Sequence, residues 1–460
     1  MTNWNGKKVI IVGAGRQGLA ATRYLVKQRA KVTLTDKKPE SEMKPIKEAL
    51  HGMPVKFVFG AHPLELLEGA DALCLSGGVP LTIPLVVEAI KQEIPLTNDS
   101  QLFMESVKAN VIGITGSAGK TTTTILTGAI AKTALEPKVS VWVGGNIGYP
   151  MIEHAGEVKP EDWVVLELSS FQLEQMTISP NVAVILNITP NHLDRHATMQ
   201  AYKEAKARIL AFQHKDDTAI LNRDDPGVSN LRRRVNGCLI TFGFSDFTHF
   251  ESSIFIEDGF IHYKDGKSKR KLIPTSALKL PGKHNLANAM AACAVATKQG
   301  FDTQAIELGI ASVKSIPHRL EFVREKDGIR WYNDSIATTP ERVMAAIQSM
   351  QTPIVLLLGG RDKNLPWEAL AELLHITKPK IILFGEAADL IQYALEKYEQ
   401  GKPIYPLWKV DTLEQAVKKA AEEAKDGESV LLSPGGTSFD AYEDFEARGN
   451  HFKQLVENLK

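Results

Sequence analysis

Three α/β domains with mostly parallel sheets are the fold class this sequence predicts, on three observations. The chain has 460 residues, enough for about three domains at roughly 150 residues each. Short β-rich runs alternate with amphipathic helical patterns almost throughout. A glycine-rich strand-to-helix turn occurs twice, at Gly13–Gly18 and again in the stretch that starts at Gly113, so a second nucleotide-type domain opens near residue 100. A turn holding Pro317 then starts a fresh α/β series. The expected domains are residues 1–99, 100–316 and 317–460.

The expected buried strands are Lys8–Val12, Lys31–Thr35, Val111–Thr115, Trp163–Leu168, Val182–Leu186, Ile354–Leu358, Ile381–Phe384 and Ser429–Leu432, with helices such as Asp411–Ala424 between them. The stretch from Arg234 to Leu280 has short strands, many turns and local basic residues, and reads as a small β-rich excursion of the middle domain. No internal repeat interrupts this order.

Bulk composition removes several function classes. Hydrophobic residues make up 43% and charged residues 23%, with a formal net charge of zero, which gives ordinary globular cores and no pull toward nucleic acid or anionic membrane. Cys74, Cys238 and Cys293 follow no zinc or disulfide spacing and read as buried free thiols. The N-terminus enters a strand pattern with no apolar signal region, and no apolar run is long enough to span a bilayer. The expected location is the cytoplasm.

The clearest site is Gly113-Ile-Thr-Gly116-Ser117-Ala118-Gly119-Lys120-Thr121-Thr122. Glycines there let backbone N–H groups turn toward phosphate oxygens at a helix N-terminus. Lys120 is placed to reach the β- and γ-phosphates, and the Thr121 hydroxyl to ligate Mg²⁺. The strict phosphate-loop pattern has glycine at position 114, where this chain has Ile114. An ordinary strand–helix turn is the bland alternative.

The earlier turn, Gly13-Ala14-Gly15-Arg16-Gln17-Gly18, follows strand Lys8–Val12, and Asp36 ends the next strand. That is the arrangement of a dinucleotide site, but its physics asks only for a nucleotide diphosphate near a helix N-terminus. NAD and a UDP group both satisfy it.

Asn146, Glu167 and His192 fall in loops or at strand ends. A carboxylate within a buried strand is costly without a cation, so Glu167, His192 and Thr121 read as Mg²⁺ ligands beside a transferring phosphate. Lys206 shares a helical face with Tyr202, Ile209 and Leu210 over Gln200–Phe212. Its ammonium either snorkels to water, or its amine is depressed in pKa and takes up carbon dioxide as a carbamate. Spacing alone does not choose.

These segments resemble the Mur ligase family. The likeness runs in order through Gly116-Ser-Ala-Gly-Lys120-Thr-Thr, Gly144-Gly145-Asn146-Ile147-Gly148, Glu167-Leu-Ser-Ser-Phe171-Gln172-Leu173-Glu174, His192-Leu-Asp194-Arg195-His196, Gly282-Lys-His284-Asn285, Pro317-His318-Arg319, Asn333-Asp334-Ser335 and Phe445-Glu-Ala-Arg448-Gly449. The Glu167 and Phe445 segments look like its D-glutamate-adding branch. The resemblance implies a Rossmann-like domain for a UDP-linked precursor, a phosphate-loop ATPase domain and a Rossmann-like amino-acid domain. It implies an ADP-forming ligase that adds glutamate to UDP-N-acetylmuramoyl-L-alanine through an acyl phosphate, working as a monomer on small molecules.

By position, the resemblance puts the UDP precursor on Gly15, Arg16, Gln17, Asp36, Lys37, Gly78 and Asn146. It puts ATP on Gly116–Thr122, Asn288, Arg319 and Asp334. Two Mg²⁺ ions would be held by Thr121, Glu167, His192 and Lys206 as its carbamate. Lys120, His192, Lys206 and Asn146 form the catalytic set, and Thr338, Lys363, Ser438 and Phe445 line the amino-acid pocket. Three positions depart from the family: Ala118 replaces Asn, Ile336 replaces Lys in the Asn-Asp-Ser-Lys-Ala-Thr segment, and Gly77 replaces Pro. Ligation of L-glutamate or another amino acid, an NAD-dependent dehydrogenase and a non-catalytic nucleotide-binding regulator are the alternatives.

Overall fold

The computed structural model describes residues 2–459 apart from Gly148, His192, Asp246, Phe247 and Asn364, with the backbone alone at Leu193 and Asp194. The chain divides into two compact units, residues 1–314 and 315–460.

The first unit holds two sheets. One has five parallel strands in the order Val55–Phe59, Lys31–Asp36, Lys8–Val12, Ala72–Leu75, Leu96–Thr97. Its central strand is apolar on both faces. Val9 and Ile11 enter one core while Ile10 and Val12 enter another, as expected of a strand covered by helices on both sides. Strand order reverses between Lys8–Val12 and Ala72–Leu75, which opens a crevice at their carboxyl ends.

The second sheet has nine strands, in the order Ser268–Pro274, Phe260–Asp265, Ser252–Glu257, Cys238–Phe242, Thr218–Asn222, Val182–Ile185, Asn110–Thr115, Trp163–Glu167, Val141–Gly145. The Arg234–Leu280 stretch is the far edge of this sheet. Cys238–Phe242 continues the parallel pairing, and two antiparallel hairpin connections follow. Cys74 and Cys293 are buried, but Cys238, at the start of its strand, is only half-buried, contrary to the reading of three buried thiols.

The second unit has six strands, in the order Glu321–Lys326, Ile329–Asn333, Ser429–Gly435, Ile354–Gly359, Lys380–Phe384, Leu407–Lys409, antiparallel only at the first pair. Leu356 and Leu358 fill one core, and Val355 and Leu357 the other. Ser429–Gly435 lies between two strands that precede it in the chain, so three loops meet at its carboxyl end.

Candidate active site

Strand Asn110–Thr115 runs through Gly116–Gly119 into helix Lys120–Leu135. Gly119 has φ +85°, and a Cβ there would sit 2.3 Å from Asn288 Oδ1, so glycine is required and Asn288 is pressed against the loop. The loop is held from the next strand end. The Asn187 side chain accepts from Ala118 N at 2.8 Å and donates to Ala118 O at 3.0 Å. Ser117 donates to Thr189 O and accepts from the Tyr202 hydroxyl, each at 3.0 Å.

Two amines converge here. Lys120 Nζ donates to Gly116 O at 3.0 Å, and Lys206 Nζ to the same oxygen at 2.9 Å. Tyr202, Ile209 and Leu210 are all buried, as the helical spacing required, and Lys206 is 1% exposed. That burial excludes snorkelling. It pulls the Lys206 amine down to about 6, helped by the neighbouring Lys120 and opposed by Glu167. The α-helix itself is shorter than expected, Met199–Ala207, and tightens into a 3₁₀ turn over Arg208–Leu210.

Glu167, 2% exposed, accepts from Thr121 Oγ1 at 2.7 Å and from Asn146 Nδ2 at 3.0 Å. Asn146 N also donates to Glu167 O at 2.9 Å. Thr121, Asn146, Glu167, Lys120 and Lys206 thus gather around one loop. Thr122 is buried in the helix. His192 lies outside the described residues.

At the switch point of the first sheet, Gly13 takes φ +93°, and a Cβ on Gly18 would meet Gly13 O at 1.9 Å. The Asp36 carboxylate accepts from Ala14 N at 2.8 Å and from Lys38 N at 3.0 Å, so part of its work is to fix the turn. Gln17 Oε1 accepts from Gly77 N at 2.9 Å. Arg195 donates to Gly78 O at 2.9 Å and Val79 O at 3.1 Å, with its guanidinium 4.7 Å from the Phe171 ring. Gly15, Lys37 and Gly78 are exposed on this crevice, with Arg16 and Gln17 half-buried.

In the second unit, Asp334 is 5% exposed and accepts from Ser433 Oγ at 2.9 Å and Leu320 N at 3.1 Å. Burial raises its carboxyl to about 6 against those bonds and Arg319. Arg361 and Thr437 exchange backbone hydrogen bonds at 2.8 Å each, which joins the loop carrying exposed Lys363 to the loop carrying buried Ser438. Thr338 N donates to Ile336 O at 2.9 Å. The Phe445 ring stands edge-on to His318 at 6.1 Å.

Three segments match Mur ligase domains: the MurD-like N-terminal domain over residues 7–98, the middle domain over 114–296 and the glutamate ligase domain over 318–436. A protein of Thermoanaerobacter sp. (strain X514), named UDP-N-acetylmuramoylalanine--D-glutamate ligase, is 39% identical over 99% of both chains. The chain belongs to the Mur ligase family. A Ruminiclostridium cellulolyticum protein of the same name is 36% identical over 99% of this chain and 97% of its own. Among solved structures, UDP-N-acetylmuramate-alanine ligase from Thermotoga maritima superposes with a TM-score of 0.59 at 21% identity, covering 98% of this chain and 100% of its own. The MurF ligase of Thermotoga maritima in complex with ADP gives 0.54 at 20%, covering 99% of each. The fold is therefore that of the Mur ligases.

Within that fold, the structure gives positioning roles to residues that the sequence motifs contain without assigning them one: Asn187, Arg195 and, above all, Arg448. Arg448 is fully buried. It donates to Ser335 Oγ and O at 3.0 and 2.9 Å, to Thr437 O at 3.1 Å and, from both terminal nitrogens, to Gly436 O at 3.2 Å. One guanidinium thus fastens the Asp334–Thr338 loop to the Gly435–Ser438 loop. Replacing it with alanine leaves several buried acceptors unpaired and is expected to cost about 3 kcal/mol of stability. Replacement with lysine is expected to recover little, since one ammonium cannot span both loops. Urea unfolding measures this, and an unchanged midpoint in Arg448→Ala contradicts it.

Proposed function

We propose that this chain joins D-glutamate to UDP-N-acetylmuramoyl-L-alanine, with ATP cleaved to ADP and phosphate. The observation that carries the reading is the convergence of Lys120, Lys206, Thr121 and Glu167 on a phosphate loop, in a chain alike from end to end to proteins named for that ligation. In this reading residues 1–99 take the precursor, 100–316 ATP and 317–460 the amino acid.

The precursor's diphosphate lies at the Gly13–Gly18 turn, and Gly15, Arg16, Gln17, Asp36, Lys37, Gly78 and Asn146 bind the precursor. Lys120 holds the γ-phosphate of ATP while the alanine carboxylate attacks it, giving an acyl phosphate and ADP. The amino group of glutamate then attacks the acyl carbon and phosphate leaves. Asn288, Arg319 and Asp334 contact ATP. Thr338, Lys363, Ser438 and Phe445 receive glutamate.

The paired Thr121 hydroxyl and Glu167 carboxylate are hard oxygen donors 2.7 Å apart, a set that suits Mg²⁺. We assign Thr121, Glu167, His192 and a carbamylated Lys206 to two such ions. Bound there, Mg²⁺ would supply charge neutralisation to the transferring phosphoryl oxygens. A buried amine held near 6 is neutral and nucleophilic at pH 7, so Lys206 suits addition of carbon dioxide. The same reading makes the protein a cytoplasmic monomer; among the described residues no helix is long and apolar enough to cross a membrane.

The test is phosphate release with ATP, the precursor and D-glutamate, L-glutamate or lysine in turn. Release that requires the precursor and D-glutamate together is the expected result. No release with any amino acid sinks the ligase assignment, and faster release with L-glutamate overturns the stereochemistry.

A further inference from the structure

The loop from Asp334 to Thr339 connects strand Ile329–Asn333 to helix Pro340–Ser349. It carries Thr338 but, with Ile336 where the family has lysine, no cation of its own. Free glutamate brings two carboxylates, and the expected pocket supplies one cation, Lys363.

Arg342 sits in the first turn of that helix and folds back over the loop. Its Nη1 donates to Ile336 O at 2.9 Å, the same oxygen that accepts from Thr338 N at 2.9 Å. The guanidinium therefore lies beside the Thr338 turn. Apart from that bond its guanidinium makes no hydrogen bond or ion pair among the described residues, so four of its five N–H donors have no protein partner there.

Its electrical surroundings favour an anion. Partial desolvation, then the like charge of Arg319, hold the Arg342 guanidinium below its ordinary pKa, while Asp334 works against them. Asp334 hydrogen-bonds Ser433 Oγ and Leu320 N and forms no direct ion pair with either arginine among the described residues. Two arginines are thus within electrostatic reach of each other, near a helix start whose dipole adds positive potential and beside the Thr338 turn assigned above to glutamate.

We propose that Arg342 is a further binding residue for glutamate, its guanidinium taking one carboxylate in place of the lysine the family carries at position 336. This rests on the ligase reading given above. The planar fork suits bidentate capture of a carboxylate. Position 336 is free to be apolar because the charge enters from the next helix.

Phosphate-release kinetics on the full chain test it, with glutamate varied at saturating ATP and ATP varied at saturating glutamate. Arg342→Ala should raise KM for glutamate on the order of 10- to 100-fold and leave KM for ATP near that of the parent. Arg342→Ala with Ile336→Lys should recover most of the glutamate affinity. A rise confined to KM for ATP would mean that the anion is a phosphate, and the proposal would fall. Failure of the double variant to recover, with its melting temperature unchanged, would show that Arg342 acts only on loop shape and would overturn it too. Calorimetric titration with glutamate keeps the two readings apart. A parent that releases no phosphate refutes the ligase reading, whereas equal glutamate affinity of parent and Arg342→Ala refutes the role of Arg342.

Discussion

Lys120→Ala should lower kcat for phosphate release on the order of 10³-fold, the scale of removing one preorganised charge from a transferring group. Affinity for the UDP-linked precursor should stay at the parent value. Lys120 opens the helix after the glycine loop of the nine-stranded sheet, with its ammonium on Gly116 O, whereas the Gly13–Gly18 turn follows a strand of the five-stranded sheet. The mutation has a second effect, because Lys120 is one of the groups holding the Lys206 amine down. Its removal lets Lys206 rise part of the way back, though burial remains the larger cause. Variants at the two lysines should therefore not be additive. Calorimetry with the precursor, run beside the rate measurement, decides the matter. A loss of precursor affinity as large as the loss of turnover would mean that one site, not two, binds both nucleotides.

What the sequence makes legible follows from which physical signals are local. Strands such as Lys8–Val12 and Ile354–Gly359 are apolar on both faces, so they appear as unbroken runs with ends within a residue or so of the structure. Ala72–Leu75 is buried in the same way but spans four residues, too few to separate from a helix turn. Strand order is hidden because partners are remote: Ala72–Leu75 pairs with Lys8–Val12 across about sixty residues. The site divides along the same line. The glycine loop before Lys120 is contiguous, so its members stand side by side in the sequence. The contact of Thr121 with Glu167 spans 46 residues, and that of Arg195 with Gly78 spans 117, so motif order names the participants without bringing them together. Arg448 shows a signal present but unused. Phe452 and Val456 follow it at four-residue steps on one buried helical stripe, the same pattern that singled out Lys206.

Lys206→Met should be inactive and yet more stable than the parent at pH 7 in bicarbonate-free buffer. The parent buries an amine with Tyr202, Ile209 and Leu210, and its proton is bound only below about 6, while in the unfolded chain the same group stays protonated up to the ordinary lysine range. Between those limits the unfolded state holds one more proton, so parent stability rises with pH across that window. The penalty is complete below about 6 and fades toward alkaline pH. Methionine fills similar volume without that penalty. The melting-temperature gap in its favour should therefore be widest at low pH and narrow as pH rises. A lysine kept at such a cost is explained by chemistry and not by packing. Three further readouts separate the carbamate from a simple cation. A carbamate resonance from ¹³C-labelled bicarbonate should appear in the parent and in a Lys203→Ala control, and vanish in Lys206→Met. Formate or acetate should restore part of the activity of Lys206→Ala by occupying the vacated anion position. Lys206→Arg should remain inactive with or without these acids, because guanidinium keeps its charge and forms no carbamate. Full turnover in Lys206→Arg would show that the position asks only for a positive charge, and the carbamate assignment would be wrong.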